Sequence, residues 1–407
     1  MGWGRSSRIY GTLKGSWGLR RLIEAITVGL ILMITYLIFA FTRKPSGIAY
    51  VQSENVCRFS SIYNFGDSNS DTGSVSVTFG RVPPPNGRTF FGKPSGRYSD
   101  GRLIIDFIAE KLGFPHLRSY LDSIGANFQH GANFAASGST IQHLDSQLCN
   151  AGFNPLTLDV QILQFEQLKA RTFEFYTQAE GSDIKMSLPN PESFERALFT
   201  LDSGQNDLHA GLTSMTVEQV KATIPRVIEQ FSVALEKLYK LGARAFWIHN
   251  TGPIGCLPFF AAKHSSKRSY VDSVGCIKSY NEVVQEFNNQ LKDKISKLRG
   301  QLRDAMLVYV DIYAVKYSLI SQGKNNGFFY PLGYCCGRLG MVECGEKKKN
   351  TNGTELIGDS CSNPLEYISW DNVHYTEAAN KWVASHILNG SFSEPRVSIA
   401  EACYNPS

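Results

Sequence analysis

Little in this 407-residue sequence is charged: Asp, Glu, Lys and Arg make up 19% of it, against 43% hydrophobic residues. That balance excludes a disordered chain, a collagen and a long coiled coil. No segment repeats, and no tract is of low complexity. Metal-type cysteine spacing is also lacking. Cys335, Cys336, Cys344 and Cys361 cluster, but with no C-x-x-C and no histidine between them they do not read as a zinc site. Nor is there a basic body to grip nucleic acid. Residues 1–44 hold seven Lys and Arg and one Glu, a net of +6, which leaves 5 − 6 = −1 for everything after Lys44,.

What those first residues do hold is an apolar run, Ala25–Phe41 (AITVGLILMITYLIFAF), 17 residues without a charge. As a helix it would measure about 25 Å, the short end of a bilayer span. Five cations precede it and two follow, a bias that keeps the N-terminus cytoplasmic and sends the bulk across. No small-x-small cleavage site closes the run. The expected organisation is a cytoplasmic basic tail (1–24), a transmembrane signal-anchor (25–41), a stem (42–58), a folded domain (59–395) and a C-terminal tail (396–407). A cleaved signal peptide is the alternative. A short span suits early secretory membranes, so the expected location is the Golgi membrane, single-pass type II, with the domain in the lumen.

Nine cysteines in an exported domain read as disulfides, and the odd count leaves at least one thiol free or paired between chains,. Cys256 and Cys276 flank a loop and form the first expected bridge. Asn352 (N-G-T) and Asn389 (N-G-S) are glycosylation acceptors that agree with a lumenal domain.

Past the stem, short apolar runs alternate with helical stretches. Expected strands are Ser61–Phe65, Asn133–Ala136, Ala197–Leu201, Ala245–His249 and Met306–Val310, most of them uninterrupted, as strands buried on both faces should be. Expected helices are Arg102–Leu112, Val217–Leu241 and Tyr280–Leu298. Gly242 stands where a C-cap belongs, and Pro225 predicts a kink or a late start in the second helix. The β-α-β-α order argues for a doubly wound α/β sheet, whose functional residues gather at the carboxyl ends of its strands.

After the first strand comes Gly66-Asp67-Ser68-Asn69-Ser70-Asp71-Thr72-Gly73. A serine just past a strand end is well placed for a nucleophile, although Ser68 or Asp67 would serve equally as a helix N-cap. The G-x-S-x-G elbow is absent, because Ser70 holds its last position. Near the other end, Asp371 stands three residues before His374. A carboxylate accepting from Nδ1–H would fix the imidazole tautomer and leave Nε2 to take the Ser68 proton. No other histidine has such an acid at i−3. Gly131–Gly138 takes in the second strand region and its end, and Ser203-Gly204-Gln205-Asn206-Asp207 follows the third strand. The amides of Ser68 and Gly138 and the side chain of Asn206 are candidate oxyanion donors; the plain alternative for Asn206 is a turn. Gly358-Asp359-Ser360 repeats the first triplet with no strand before it and reads as a loop.

These four blocks resemble those of the plant GDSL esterases/lipases of the SGNH hydrolase superfamily, in which Ser, Gly, Asn and His from separate blocks build the site. The resemblance covers about residues 60–392. It implies those roles for Ser68, Gly138, Asn206 and His374, with Asp371 completing a triad. The connecting segments Phe90–Gly113, His249–Pro258 and Tyr367–Asn380 match as well, while Asn69 stands where the name-giving motif has Leu. The implied fold is a three-layer α/β/α sandwich with a five-stranded parallel sheet, SGNH/flavodoxin-like.

The implied reaction is carboxylic ester hydrolysis through an acyl-enzyme, which needs neither metal nor organic cofactor. A lumenal enzyme would meet hemicelluloses as they are built, and Phe90, Phe91, Tyr98 and Trp370 would offer rings for sugars. The expected substrate is therefore an acetylated cell-wall polysaccharide such as xylan. A secreted lipase, an esterase of small acylated metabolites released to the apoplast, and a carbohydrate-binding protein on an inactive scaffold are the alternatives. The expected partners are the ester substrate and, through the N-terminal helix, a membrane.

Overall fold

The computed structural model describes residues 15–42, 57–143, 154–178, 185–264 and 268–404. The chain divides into two units, Met1–Val56 and Cys57–Ser407. In the first, helix α1 (Gly15–Thr42) takes in the apolar run. Thr27 and Thr35 donate their hydroxyls to the carbonyls of Ile23 and Ile31, at 2.7 and 2.9 Å, which lets two polar side chains sit in an apolar helix,. Its described side chains, 21–36, are all exposed. Among the described residues no helix is long and apolar enough to cross a membrane, so the span expected over 25–41 is not supported. The helix starts ahead of the run and carries Arg21 and Glu24 on its described part. The side chains of 37–41, the tail 1–14 and the stem 43–56 lie outside the described residues.

The second unit is built on one sheet. Its strands are β1 (Ile62–Gly66), β2 (Gly131–Asn133), β3 (Leu198–Asp202), β4 (Ala245–His249), β5 (Met306–Val310) and β10 (Ser393–Glu394), in the order β10-β5-β4-β3-β1-β2. Five run parallel, as expected, and β10 adds a sixth, antiparallel edge strand paired to β5. Outside the sheet, β6 (Tyr330–Tyr334) pairs with β9 (Tyr367–Ser369), and β7 (Lys347–Lys349) with β8 (Glu355–Ile357). Strand β2 lies earlier than the sequence suggests. The apolar run beyond it misleads: Phe134 and Ala136 still donate their amides to the Asn64 and Gly66 carbonyls of β1, at 2.8 and 3.1 Å, after the ladder has ended.

Side chains alternate across the sheet with the strand period of two. Tyr63, Phe65, Phe199, Leu201, Phe246, Ile248 and Leu307 join one core with helices α4 (Leu158–Gln178), α6 (Val217–Lys240) and α8 (Lys278–Gln301). Ile62, Leu198, Trp247, Val308 and Val310 join another with α3 (Ile104–Lys111), α9 (Ile312–Ser321) and α10 (Glu377–Ile387). Three layers result, each large side chain so buried stabilising by about 1.5–3 kcal/mol. Two short helices, α2 (Ser74–Thr78) and α7 (Pro258–His264), belong to loops beyond β1 and β4. Helix α6 starts on a Thr216–Gln219 capping box and runs unbroken through Pro225. Burial of Ile224, Val227, Ile228 and Phe231 around the proline outweighs its missing hydrogen bond,. Gly242 ends that helix at φ 99°, a left-handed C-cap.

Four disulfides close the unit: Cys57–Cys403, Cys256–Cys276, Cys335–Cys361 and Cys336–Cys344. The second is the expected bridge, and Cys149 lies outside the described residues. Residues 396–404, expected as part of a tail, belong to the body instead. Ile399 and Ala402 are fully buried, and Cys403 is bonded to Cys57.

Candidate active site

Ser68 lies two residues past the end of β1, in a turn closed by the Ser70 and Asp71 amides donating to the Asp67 carbonyl at 3.1 and 3.0 Å. Gly66 is required before it, because at φ 153° a Cβ would lie 2.3 Å from the Asp202 carbonyl oxygen of β3,. Ser68 is nearly buried, and among the described residues its hydroxyl has no hydrogen-bond partner. The contact between a catalytic serine and its base commonly closes only in the substrate complex.

Asp371 and His374 come together as the spacing predicts. His374 Nδ1 lies 2.7 Å from Asp371 Oδ2, while Asp371 Oδ1 accepts the backbone amides of His374 and Val373 at 2.7 and 2.8 Å. Burial works to raise the Asp371 pKa, but the imidazole's charge and these bonds hold it below the usual carboxylate value,. Burial likewise opposes charge on His374, yet Asp371 beside it and Asp67 raise its pKa above the ordinary histidine value, with Lys316 pulling the other way. Asp67, which immediately precedes Ser68, is among the charges that raise it. The Tyr98 ring lies 5.2 Å from the imidazole.

Gly138 sits at φ 77° in a turn beyond β2. Asp71 connects this turn to the nucleophile turn, accepting the amides of Gly73, Ser74 and Ser137 at 2.7, 2.6 and 2.8 Å. Asn206 opens helix α5 (Gln205–Ser214) after Gly204, and its side-chain amide donates to the Ser139 carbonyl at 2.8 Å. One amide hydrogen is thus spent on positioning the side chain. Asp207 accepts the amides of Ile141 and Gln142 at 2.9 and 3.0 Å; burial pushes its pKa up to about 6 despite them. Gln161 completes the stitching. Its Oε1 accepts the Gly66 amide, and its Nε2 donates to the Gly66 carbonyl and Ser139 hydroxyl, at 2.9, 2.8 and 2.9 Å.

Sequence reasoning does not single out Asp71, Asp207 or Gln161. The two aspartates lie inside the catalytic blocks, where a short acid beside tight turns is a signal; Gln161, on α4, carries none. Of the aromatic side chains considered for sugar binding, Trp370 is fully buried, donating Nε1–H to Asn86 at 2.8 Å, and is a structural residue. Phe90 is exposed beneath the Arg102 guanidinium, 4.0 Å from its ring centre. Ser360 of the repeated triplet bridges to Cys336 and accepts from Arg88, a loop role as expected. The sequon residues Asn352 and Asn389 are both exposed. Among the described residues no group of His, Cys, Asp and Glu is placed to hold a metal ion.

A family model described as GDSL-like lipase/acylhydrolase matches residues 62–387. A GDSL esterase/lipase of Arabidopsis thaliana is 48% identical over 360 residues, covering 87% of this chain and 92% of its own. A protein named alpha-L-fucosidase 3, from the same plant, is 46% identical over 341 residues, covering 82% of this chain and 91% of its own. Among solved structures, an acetyl-xylooligosaccharide esterase from Geobacillus stearothermophilus aligns with 82% of this chain and 95% of its own. At 12% identity and a TM-score of 0.36, that alignment says nothing about substrate.

Proposed function

This chain belongs to the GDSL-like lipase/acylhydrolase family, a family of carboxylic ester hydrolases, and within it we propose that the chain removes O-acetyl groups from a cell-wall polysaccharide, xylan foremost. The hydrogen-bonded Asp371–His374 pair is the observation that carries the reaction. In this reading Ser68 Oγ attacks the acetyl carbonyl while His374 Nε2 takes its proton. The tetrahedral oxyanion is held by the Ser68 and Gly138 amides and the Asn206 side chain. Collapse breaks the ester bond, and the leaving sugar oxygen takes the proton from His374. Water, activated by the same imidazole, then releases acetate from Ser68.

The substrate reading rests on compartment and on the rim of the site. Four disulfides fit an oxidising compartment, and two exposed sequons fit glycosylation there. We place the enzyme's action in the Golgi lumen, where hemicelluloses are assembled; protease protection in sealed vesicles tests this, with a fully digested catalytic unit the contrary result. Tyr98, half-buried beside the imidazole, offers a ring to a sugar chain. Incubating the protein with acetylated xylan and measuring acetate tests the substrate. Acetate release that disappears in Ser68→Ala supports the proposal; release of long-chain fatty acid from a lipid ester with no acetate from xylan overturns it in favour of a lipase. A fucoside in parallel tests the activity in the name of the 46% relative.

A further inference from the structure

The half-buried Tyr98 ring faces the candidate base. Its centre is 5.2 Å from the centre of the His374 imidazole, with 32° between the two planes, an offset face-toward-face approach and not an edge-on one,. Ester hydrolysis by Ser68, His374 and Asp371 requires no aromatic ring there, yet the chain holds this one in place from both sides. Before it, Gly96 lies so close to the nucleophile turn that a Cβ would stand 2.6 Å from the Gly73 Cα. Arg97 Nε and Nη2 donate to Asp106 Oδ2 and Oδ1 of α3 at 2.8 and 2.6 Å, a buried two-pronged ion pair. After it, Asp100 Oδ1 accepts the amide of Glu377, the first residue of α10, at 2.7 Å. Arg102 Nη2 donates to Glu377 Oε1 at 2.7 Å. The segment is thus clamped between the Ser68 turn and the chain that leaves His374.

We propose that Tyr98 is a positioning residue of the esterase reaction, its π face stabilising the imidazolium that forms when His374 takes the Ser68 proton. A cation within about 6 Å of an aromatic ring centre is attracted by the negative face of the ring, and more strongly where water is excluded. The neutral imidazole carries no net charge to attract. The contact therefore strengthens as the proton moves, which makes it worth more in the transition state than in the ground state. Asp371 acts in the plane of the imidazole, through Nδ1, and Tyr98 from the direction of its face. The phenol stays neutral beside it: burial and the charges of Asp71 and Asp371 raise its pKa, with Ser137 pulling the other way. The remaining charged groups around the imidazole are Asp371 on its own loop, Asp67 beside Ser68, Lys316 on α9 and Glu343. All of them stay in place when Tyr98 alone is replaced.

Tyr98→Leu removes the π face but keeps an apolar side chain over the imidazole, so that water does not take the place of the ring. The His374 midpoint should then fall by about half a pH unit. It is read by NMR titration of labelled histidines in the full chain without substrate, with His374→Gln assigning the signal. Tyr98→Phe keeps the face and should leave the midpoint where it is. On p-nitrophenyl acetate the acid limb of kcat/KM follows the same order, and kcat drops about 2–10-fold in Tyr98→Leu and recovers in Tyr98→Phe. A midpoint unmoved or raised in Tyr98→Leu overturns the proposal. So does an equal fall in Tyr98→Phe, which would assign the effect to the hydroxyl. Where Tyr98→Leu fails to fold, Tyr98→Met takes its place. A ring that only stacked on sugar would raise KM for acetylated xylan when removed and leave the titration of the free protein alone. The inference rests on the esterase reading, but the two fail separately. An inactive protein whose His374 midpoint follows the Tyr98 series sinks the esterase and leaves the contact standing; an active enzyme with an unmoved midpoint sinks only the contact.

Discussion

Ser68, Gly138 and Asn206 each follow a strand of the same sheet, whereas Asp371 and His374 follow β9, which pairs with β6 in a two-stranded ribbon outside it. The first half is held by buried polar side chains. Asp71, Asp207 and Gln161 tie three turns to one another and to β1 through hydrogen bonds of 2.6–3.0 Å. In the second half the staple is covalent. Cys335 and Cys336 donate their amides to the Trp370 carbonyl at 2.9 and 2.6 Å, and each is bonded across a loop, to Cys361 and Cys344. The Trp370 amide in turn donates to the His374 carbonyl at 2.7 Å. A sheet edge fixes its residues by its own ladder, while a loop of the same precision needs cross-links and a buried anchor. The two halves should accordingly fail under different insults.

The largest effect belongs to the reacting atom. Ser68→Ala should reduce kcat on p-nitrophenyl acetate by about 10⁴–10⁶-fold with the thermal transition unchanged; retained turnover would remove Ser68 from the mechanism. Asn206→Ala comes next, at about 10²–10³-fold in kcat, with KM nearly constant. An equal loss carried by KM would make Asn206 a binding or turn residue instead. Replacing Cys335, Cys336, Cys344 and Cys361 by serine should cost about 10²-fold in kcat/KM through misplacement of His374, while the sheet unfolds at a transition lowered only modestly. Full activity in that variant, or in protein reduced under native conditions, would break the contrast between the halves. Smallest in activity is Gln161→Leu. It strands the Gly66 amide and should cost about 1–3 kcal/mol of stability, read as a lower urea midpoint, with turnover changed less than in Asn206→Ala.

How far the sequence can be read follows the same division. Strands β4 and β5 appear over the residues expected, because Ala245–His249 and Met306–Val310 are short apolar runs with no competing signal. The candidate nucleophile and acid–base residues are legible from local spacing alone, since strand–turn and i,i+3 geometry are short-range. Helix α4 is legible in principle: Leu158, Ile162, Phe165 and Leu168 are buried at helical intervals,. Strand β10 is not, for two residues, Ser393 and Glu394, carry no period, and only β5 makes them a strand. Gln161 is hidden for a different reason. Its work depends on which helix the fold lays against the carboxyl edge of the sheet, and no local pattern records that.

The Cys57–Cys403 bond spans 346 positions and makes the catalytic unit a closed covalent ring. A single cut by a protease in any surface loop of a ring opens it without releasing a piece. Nicked enzyme should therefore migrate intact without reductant and as two fragments with it, and in the chain-entropy picture the closure is worth up to about 5 kcal/mol. In an extracellular matrix or a secretory lumen rich in proteases, such a ring turns a scission into a tolerable injury: the fragments cannot diffuse apart, and the site that four distant blocks assemble outlives the continuity of the chain that made it.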